Sequence, residues 1–388
     1  MRYLTGGESH GPGLTAIVEG LPAGLELHLD DINRHLARRQ LGYGRGGRMA
    51  IEKDRVKILS GLRFNQTIGS PLTMHIENRD WTNWQSAMAP EGEAPADWQP
   101  VTRPRPGHAD LAGGLKYNFE DLRLVLERSS ARETAMRTAV GSVGRIFLEN
   151  FGVAFFSHVL QIGRASAPIS SDEIPGLYEI VEKSAVRCAD EQGEAAMLQE
   201  IDRARRKGDT LGGIFEVIVS GVPPGLGSYV HPDRRLDGRL AGAVMAIQGI
   251  KGVEIGIGFA AAAAPGSEVH DPIVIRHGKG IERPSNRAGG LEGGVTNGSP
   301  LVVRAVMKPI PTLGHPLPSI DWQTGEKTEG AVERSDICAV PSAAVVAEAV
   351  VAWELAVAFR EKFGGDYLEE IAGSYHRYLE NCRFRLKE

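Results

Sequence analysis

Arginine and glycine occur together at three places in this 388-residue chain, and each place offers groups that bind anions. The clusters run over residues 38–48, 103–108 and 128–132. Guanidinium groups bind carboxylate and phosphate through paired hydrogen bonds, glycine lets the backbone approach a ligand, and a helix N-terminus adds N–H donors. The pattern predicts a site for a small ligand with several anionic groups. We assign five arginines to it: Arg39, Arg45, Arg48, Arg105 and Arg132.

The alternative interpretation of any arginine is a solvated surface or an exposed salt bridge. The glycine and proline setting of the three clusters favours the ligand site. Arg203, Arg205 and Arg206 instead lie on a predicted exposed helix, so we interpret them as surface residues.

Two histidines lie in tight, glycine-containing loops: His10 in the sequence GESHG and His108 in the sequence PGHAD. Histidine titrates near neutral pH and suits general acid or base catalysis. Ser9 is not interpreted as a catalytic serine, because no elbow motif surrounds it. Asp336 follows Arg334 closely, and on sequence alone it is a salt-bridge partner of that arginine. These residues predict a polyanion site with two available histidines, but they do not identify a reaction.

Several other kinds of site are excluded. The pattern G-x-G-x-x-G at residues 42–47 needs a strand before it and a helix after it to bind a dinucleotide, whereas here a basic helix precedes it and residues 49–58 are predicted as a strand. The sequence has no G-x-x-x-x-G-K-[ST] loop, and no HExxH or paired Cys/His set, so we predict no metal site. A net charge of −5 argues against general binding to nucleic acid or membranes.

The composition is that of a soluble globular protein, with 42% hydrophobic and 24% charged residues. Cys188, Cys338 and Cys382 lie far apart, which is typical of reduced thiols in the cytoplasm. The N-terminus lacks the apolar region of a signal peptide. The nearest candidate for a membrane span, residues 343–359, contains two glutamates and is predicted to be a buried helix.

The elements that must position these residues contain a weak internal repeat. Three short motifs recur in the same order in the two halves of the chain. The matched pairs are Gly13–Leu25 with Gly213–Leu226, Gly69–Leu72 with Gly298–Leu301, and Glu127–Ser130 with Glu333–Asp336. The three matches favour a duplicated unit. We predict a single domain over residues 1–388, with echoed halves at about 6–152 and 209–365 and a peripheral insertion at about 165–208.

Strands are predicted at Thr15–Val18 and Phe215–Val219, which are β-branched or aromatic runs bounded by glycine. Asp30 and Asp31 are predicted to cap a helix that Gly42 ends.

One longer helix is predicted near the C-terminal end of each half. Ser130 and Glu133 form a capping-box pattern, and apolar residues recur behind them at helical spacing. This predicted buried stripe consists of Met136, Val140, Val143 and Phe147. A helix from Pro341 is apolar almost all round, which predicts burial on most sides. The fold class is therefore α+β, a layered β-α-β sandwich with an internal pseudo-twofold duplication.

The same residues resemble the signatures of the chorismate synthase family, and the resemblance covers essentially the whole chain. The matching motifs occur in order: Gly7–Gly11 with Val18–Pro22, Pro104–Asp110, Glu127–Thr134, Ile250–Gly256, Lys308–Thr312 and Arg334–Pro341. The departures are Ile337, where proline is frequent, and Gly249, where another small residue is common. No flavin-reductase domain is attached, so the resemblance is to the monofunctional form, which takes reduced flavin from elsewhere.

The resemblance implies an anti-1,4-elimination in which 5-enolpyruvylshikimate 3-phosphate loses phosphate and a C6 hydrogen to give chorismate. It also implies reduced FMN as a transient electron donor, NADPH as the indirect reductant, and a homotetramer served by a separate flavin reductase. Arg39, Arg45, Arg48, Arg105, Arg132 and Arg334 would hold substrate anions, with Arg39 and Arg45 also near NADPH. Residues implied around FMN are Arg128, Ser129, Ser130, Gln248, Gly249, Gly293, Lys308, Pro309, Ile310, Pro311, Thr312 and Arg334.

The resemblance also implies proton-transfer roles for three residues. His10 would protonate the departing phosphate, His108 would manage the proton of the reduced flavin ring, and Asp336 would assist at the flavin edge. Two other classes stay open. A flavin-dependent oxidoreductase would consume NADPH in proportion to product. A non-catalytic RNA-binding module is opposed by the acidic charge and by the lack of aromatic residues in the arginine loops.

Overall fold

The computed structural model describes residues 1–46, 52–167, 176–276, 280–333 and 335–384. The strands, in chain order, are β1 Arg2–Gly6, β2 Gly13–Glu19, β3 Val56–Ser60, β4 Leu62–Arg63, β5 Gln66–Thr67, β6 Leu72–Glu77, β7 Ala154–Ile162, β8 Ala165–Ser166, β9 Gly213–Ser220, β10 Ile250–Ile255, β11 Val274–Arg276, β12 Gly280–Glu282, β13 Leu291–Glu292, β14 Val295–Thr296, β15 Leu301–Met307, β16 Pro318–Ile320 and β17 Lys327–Glu329. The α-helices are α1 Leu29–Gln40, α2 Asp110–Tyr117, α3 Arg123–Ser129, α4 Thr134–Glu149, α5 Tyr178–Lys183, α6 Glu191–Arg206, α7 Leu236–Met245, α8 Gly266–Val269, α9 Val340–Phe363 and α10 Leu368–Phe384.

Two antiparallel sheets enclose a layer of helices. The first sheet has the strand order β1-β2-β6-β3, and the second has the order β10-β15-β9-β7-β8. Helices α4 and α1 pack on the first sheet, while α9 and α7 pack on the second, and α4 packs along α9. The α+β sandwich predicted from the sequence is confirmed.

Both sheets use one connectivity. The order β1-β2-β6-β3 corresponds to β7-β9-β15-β10, with α1 and α7 following the second strand in each case. The hairpins β4-β5 and β13-β14 occupy matching places in the chain, and so do helices α4 and α9. The predicted strands at Thr15–Val18 and Phe215–Val219 lie within the equivalent strands β2 and β9. The exact limits of the halves, and the division at 165–208, stay predictions.

A threonine holds each half together in the same way. The Thr67 hydroxyl accepts from the Leu25 N–H at 3.0 Å and donates to the Pro22 carbonyl at 2.6 Å. The Thr296 hydroxyl accepts from Leu226 at 2.8 Å and donates to Pro223 at 2.6 Å. Both threonines are buried, so the recurring G-x-P-x-G-L sequence is a turn whose polar groups are paired internally.

Helices α4 and α9 meet at backbone distance. A Cβ added at Gly141 of α4 would overlap the carbonyl oxygen of Ala349 in α9, so glycine is needed at this crossing. The predicted stripe of α4 is confirmed, since Met136, Val140, Val143 and Phe147 are fully buried. Helix α9 is long and apolar enough to cross a membrane, and it is the one such helix among the described residues. It lies inside the protein as predicted, with 94% of its most apolar window buried.

The core also contains a buried charged cluster. Glu348 of α9 accepts from Arg38 of α1 at 2.8 Å and from Arg145 of α4 at 2.7 Å. Arg38 also contacts the Nδ1 atom of His35 at 3.1 Å. Burial and the nearby arginines Arg145 and Arg38 lower the pKa of His35 to about 3. The cluster fixes three helices against one another in the layer between the sheets.

Some local predictions were wrong. Helix α1 begins at Leu29 with His28 at the N-cap and without a side-chain cap, so Asp30 and Asp31 lie in its first turn instead of capping it. Strand β3 begins at Val56, later than the predicted start at residue 49, and residues 49–51 lie outside the described part of the chain.

The predicted insertion and the capping box also differ in detail. Within residues 165–208, Met197 and Ile201 of α6 are fully buried in the main core, so this part is less peripheral than its sequence indicated. The three arginines at the end of α6 are exposed, as predicted. The Ser130 hydroxyl accepts from the N–H of Arg132 and begins a 3₁₀ turn, Ala131–Glu133, ahead of α4.

Candidate active site

A cavity of about 950 Å³ opens where loops from both halves meet the helix layer. The first half supplies the β1-β2 loop, the end of α1 and the segment that joins α3 to α4. The second half supplies the α7-β10 turn, the segment after β15 and the residues that precede α9. The predicted site residues that line this cavity are His10, Arg39, Arg45, Arg105, His108, Ser129, Ser130, Arg132, Gln248, Gly249, Lys308, Pro309, Ile310, Pro311, Thr312 and Asp336.

Two buried arginines share one carboxylate beside the cavity. Arg132 donates from Nη1 to Asp54 at 2.6 Å and from Nε to Asn78 at 2.9 Å. Arg39 reaches the other oxygen of Asp54 at 3.5 Å and donates to Thr134 at 3.0 Å. Burial, with Arg132 and Arg45 nearby, lowers the pKa of Arg39 to about 10, so the guanidinium stays charged at neutral pH. Asp54 thus fixes two positive charges on one side of the cavity.

The loop that carries His108 is held by a second buried ion pair. Arg105 binds both oxygens of Asp110, at 2.8 and 3.0 Å, and donates to Thr312 at 2.9 Å. The Nδ1 atom of His108 lies 2.5 Å from Asp110. Burial alone would raise the pKa of Asp110, but hydrogen bonds from His108 and Arg105 hold it well below its usual range. Lys308 also donates to the Gly107 carbonyl, so this loop is tied to the segment after β15.

Asp336 lies on a third side of the cavity and holds the glycine-rich loop that follows α1. One carboxylate oxygen accepts from the Gly46 N–H at 2.6 Å, and the other lies 3.0 Å from Arg45. A Cβ at Gly46 would lie 2.9 Å from the Ser335 carbonyl, and Gly44 has a positive φ of 88°. The glycines thus allow close packing on residues 335–338. Asp336 is paired with Arg45; the predicted pairing of Asp336 with Arg334 stays a prediction, because Arg334 lies outside the described residues.

His10 also lines the cavity and lies on the loop between β1 and β2. Its Nδ1 atom is 2.8 Å from one oxygen of Glu127, and its backbone N–H donates to the other oxygen at 2.7 Å. The Trp84 ring lies against the imidazole, with centroids 4.2 Å apart. Ser9 donates to Ser130 at 3.0 Å and so joins the loop to the start of the α4 region.

Three buried polar atoms of the cavity wall have no hydrogen-bond partner among the described residues. They are Ser129 Oγ, Gln248 Oε1 and Arg132 Nη2, the last of which lies 3.7 Å from Glu52. A buried polar atom without a hydrogen bond lowers the stability of the folded state. A bound molecule or an ordered water that supplies the missing hydrogen bond removes this cost. All three residues line the cavity.

Two described residues of the predicted site, Arg128 and Gly293, do not line the cavity. Arg128 is exposed and donates to the carbonyl oxygens of Gly7 and Thr5, each at 3.1 Å. Gly293 is exposed in the turn of the β13-β14 hairpin, and neither it nor Arg128 lines the cavity. Arg48 and Arg334 lie outside the described residues.

Sequence reasoning assigned no role to Glu127, Asp110, Trp84, Asp54 or Asn78, although they hold the predicted residues. Glu127 and Asp110 stand inside the motifs that were recognised, so their position beside the signature arginine and histidine was an available signal. Asp54 and Asn78 are isolated polar residues next to strands, and nothing in their local sequence indicates that they contact arginines.

The fold and the site define a class of protein: an α+β enzyme with an arginine-lined cavity for a small polyanion and two histidines held by carboxylates. A model of the chorismate synthase family matches residues 1–359. The chain is 59% identical over 383 residues to "Chorismate synthase" of Desulforudis audaxviator, covering 99% of this chain and 98% of the relative. It is 58% identical over 393 residues to the protein of the same name from Geobacter metallireducens, covering 99% of each.

A solved structure agrees with these relatives. The structure described as "Crystal Structure of Chorismate Synthase" superposes with a TM-score of 0.80 at 44% identity, covering 98% of this chain and 97% of the other. The chain therefore belongs to the chorismate synthase family. Its activity is that of this family: a carbon–oxygen lyase that eliminates phosphate from 5-enolpyruvylshikimate 3-phosphate to form chorismate in the shikimate pathway.

Proposed function

We propose that the 950 Å³ cavity is where the elimination takes place, and that reduced FMN binds there beside the substrate. The observation that carries this proposal is the meeting of Arg39, Arg45, Arg105 and Arg132 with two histidines around one cavity. The substrate bears two carboxylates and one phosphate, and fixed guanidinium groups recognise such anions. Pairing with Asp54, Asp110 and Asp336 holds these arginines in place before the substrate arrives.

The residues present fit FMN. Ser129 Oγ and Gln248 Oε1 are buried polar atoms without a hydrogen-bond partner among the described residues, and the isoalloxazine ring, the ribityl hydroxyls and the phosphate of FMN offer both donors and acceptors. Ser129, Ser130, Gln248, Gly249 and the segment Lys308–Thr312 would hold it. The chemistry that reduced FMN would supply there is the transient donation of an electron, in a reaction that is redox-neutral overall. Arg128 and Gly293 are left out of this set because they do not line the cavity.

The protein groups handle the protons and the leaving group. In the overall reaction the C3–O bond breaks and phosphate leaves, the C6–H bond breaks, and the second ring double bond forms. His10 protonates the departing phosphate, and the arginines neutralise its charge. His108 is oriented by Asp110 and would hold a proton for a reduced flavin bound in the cavity. Asp336 keeps Arg45 in place and would assist proton transfer beside it.

We further propose a homotetramer in the cytoplasm that receives reduced flavin from a separate reductase. Exposed apolar side chains support association between copies: Phe259 is 80% exposed, Tyr229 78%, Ile275 65% and Ile273 64%. Cys188, Cys338 and Cys382 are all free thiols, which supports a reducing compartment. Light scattering on the purified protein tests the assembly, and a monomer at micromolar concentration would contradict it.

The function is tested by incubating the protein anaerobically with reduced FMN and 5-enolpyruvylshikimate 3-phosphate. We expect phosphate and chorismate in equal amounts, and no product with oxidised FMN. When NADPH and a flavin reductase supply the flavin, NADPH consumption should not track product formation. One NADPH consumed per product would instead support the rival assignment, a flavin-dependent oxidoreductase with net redox chemistry.

A further inference from the structure

Glu127 is a buried carboxylate that contacts His10 twice. One oxygen lies 2.8 Å from the ring Nδ1 atom, and the other accepts from the backbone N–H of the same residue at 2.7 Å. The Glu127 side chain is only 2% exposed. We propose that Glu127 is a positioning residue that fixes the tautomer and the orientation of His10, so that the proton carried on Nε2 of the protonated ring is the one transferred to the leaving phosphate, which leaves the neutral Nδ1–H ring. This inference rests on the role proposed above for His10.

The chemistry of the contact sets the tautomer. A carboxylate only accepts hydrogen bonds, so the Nδ1 atom that faces it must carry the hydrogen. Because the same carboxylate also binds the backbone N–H of His10, it anchors the ring and the loop together. A histidine held at both points keeps a single direction toward the cavity, which is what general acid catalysis requires.

The surrounding groups keep Glu127 itself fixed. Its backbone carbonyl accepts from the N–H of Ser9 at 2.9 Å, so the histidine loop is bound to α3 by main chain as well. The Arg123 guanidinium lies 3.7 Å from the Glu127 carboxylate and 5.1 Å from the centre of the Trp84 ring. Trp84 in turn covers one face of the His10 ring. His10 is thus held along one edge by Glu127 and on one face by Trp84.

The two histidines of the site differ in how their carboxylates are balanced. Asp110 is bound through both oxygens by Arg105, at 2.8 and 3.0 Å, so its charge is already matched. The Glu127 carboxylate lies 3.7 Å from Arg123, and its two shorter side-chain contacts among the described residues are both with His10. The charge of Glu127 is therefore matched less closely by arginine than the charge of Asp110, and more of it faces the His10 ring. This difference favours His10 over His108 as the donor to the phosphate.

The substitution Glu127→Gln tests the proposal because it keeps the shape and removes one acceptor oxygen. A glutamine cannot accept from both N–H groups of His10, so its ring loses the fixed tautomer. We expect kcat to fall about 10²-fold while KM for the substrate and the affinity for FMN change less than about twofold. Glu127→Asp, which keeps the carboxylate but shortens the reach, should retain more turnover than Glu127→Gln. Glu149→Gln is the matched control, because Glu149 also accepts from an arginine, at 2.8 Å, on an exposed face of α4.

A double mutant separates this proposal from the role of His10. If His10→Ala keeps parental turnover, the assigned role of His10 fails, whatever Glu127 does. If His10→Ala is slow, adding Glu127→Gln should slow it no further, because Glu127 acts through His10. An additional loss of tenfold or more in the double mutant, or parental turnover in Glu127→Gln alone, overturns the positioning role.

A spectroscopic readout is independent of turnover. In protein with ¹⁵N-labelled histidine, the neutral ring of His10 should show the Nδ1–H tautomer, identified by its absence in the His10→Ala protein. In Glu127→Gln this signal should move toward a mixture of tautomers while the melting temperature stays close to that of the parent. An unchanged tautomer in the variant would show that other contacts orient the ring.

Discussion

Single residues in this site work as pairs of opposite charge. Arg39 and Arg132 meet Asp54, and the other two arginines of the cavity each have an aspartate of their own. Burying such a pair costs desolvation energy, and removing one partner from a buried pair typically costs about 3–5 kcal/mol. In the function proposed above, the same charges must already point at an anionic substrate before it binds. At the fully buried pairs, the orientation of the arginines and the free energy of unfolding therefore depend on the same contacts.

Asp336 and Arg45 form the most exposed of these pairs, so a substitution there separates the catalytic role from stability. Asp336→Asn keeps an oxygen that can accept from the Gly46 N–H but removes the charge opposite Arg45. We expect the melting temperature to change little, since both groups are partly exposed, with side-chain exposures of 20% and 11%. We expect single-turnover phosphate release to slow by about tenfold or more, as loss of an assisting acid–base group does. Parental release rates with a lowered melting temperature would make Asp336 a structural residue only.

The sequence predicted the arginines and histidines of the cavity better than the acids that hold them. His108 and Asp110 are two residues apart, so their contact could be read from one motif. His10 and Glu127 are separated by 117 positions, and Arg105 and Thr312 by 207. Contacts over such distances depend on how the two sheets and the helix layer assemble, and a single sequence does not display that assembly. The pairing of Asp336 with Arg45 was missed for the same reason.

Among the elements, the crossing of α4 and α9 carries the packing of the whole helix layer. The sequence predicted both helices and their buried faces, because apolar periodicity is a local signal. It did not predict which glycine lies at the crossing, since that depends on the partner helix. Gly141 is the position where the two backbones touch.

Gly141→Ala should therefore destabilise the protein, although alanine is the better helix former by about 1 kcal/mol. The added methyl group would overlap the Ala349 carbonyl and force the helices apart, and overpacking of a core typically costs about 1–3 kcal/mol. Gly238→Ala in α7 is the control, because a Cβ there meets nothing within 4 Å. Thermal unfolding of both variants checks the prediction. A rise in melting temperature for Gly141→Ala would show that the crossing can open without cost.

Helix α1 should make stability depend on pH through His35. Burial, with Arg145 and Arg38, lowers the pKa of His35 to about 3, against about 6.5 in an unfolded chain. Below pH 6.5 the unfolded state binds a proton that the folded state does not, so stability falls as the pH falls from 6.5 toward 3. At pH 5 this one group should cost about 2 kcal/mol relative to pH 7.5.

Urea unfolding at pH 7.5 and pH 5.0 measures this effect. His35→Gln keeps an acceptor for Arg38 but cannot titrate, so its loss of stability between the two pH values should be smaller than that of the parent by about 2 kcal/mol. An equal loss in parent and variant would assign the pH dependence to other groups.

For the molecule as a whole, the repeated connectivity gives pairs of positions that should behave alike. Thr67→Val and Thr296→Val each leave a buried leucine N–H and a proline carbonyl without their side-chain partner. Each should lower the free energy of unfolding by about 1–3 kcal/mol, and by similar amounts. Thr82→Val, at an exposed threonine, should have little effect. A large cost at one threonine and none at the other would mean that the two turns only look alike.

The cavity lies where the two halves meet, and this has a consequence for how its chemistry arose. Ser130 and Asp336 occupy matching positions in the echoed motifs, and both line the same cavity. Two identical halves would have offered the same side chain from both directions, whereas the substrate is chiral and has no twofold symmetry. Because the halves lie in one chain, each position can carry its own side chain, and here one position carries a hydroxyl and its counterpart a carboxylate. The repeated scaffold therefore offers different side chains at matching positions, as a substrate without twofold symmetry requires.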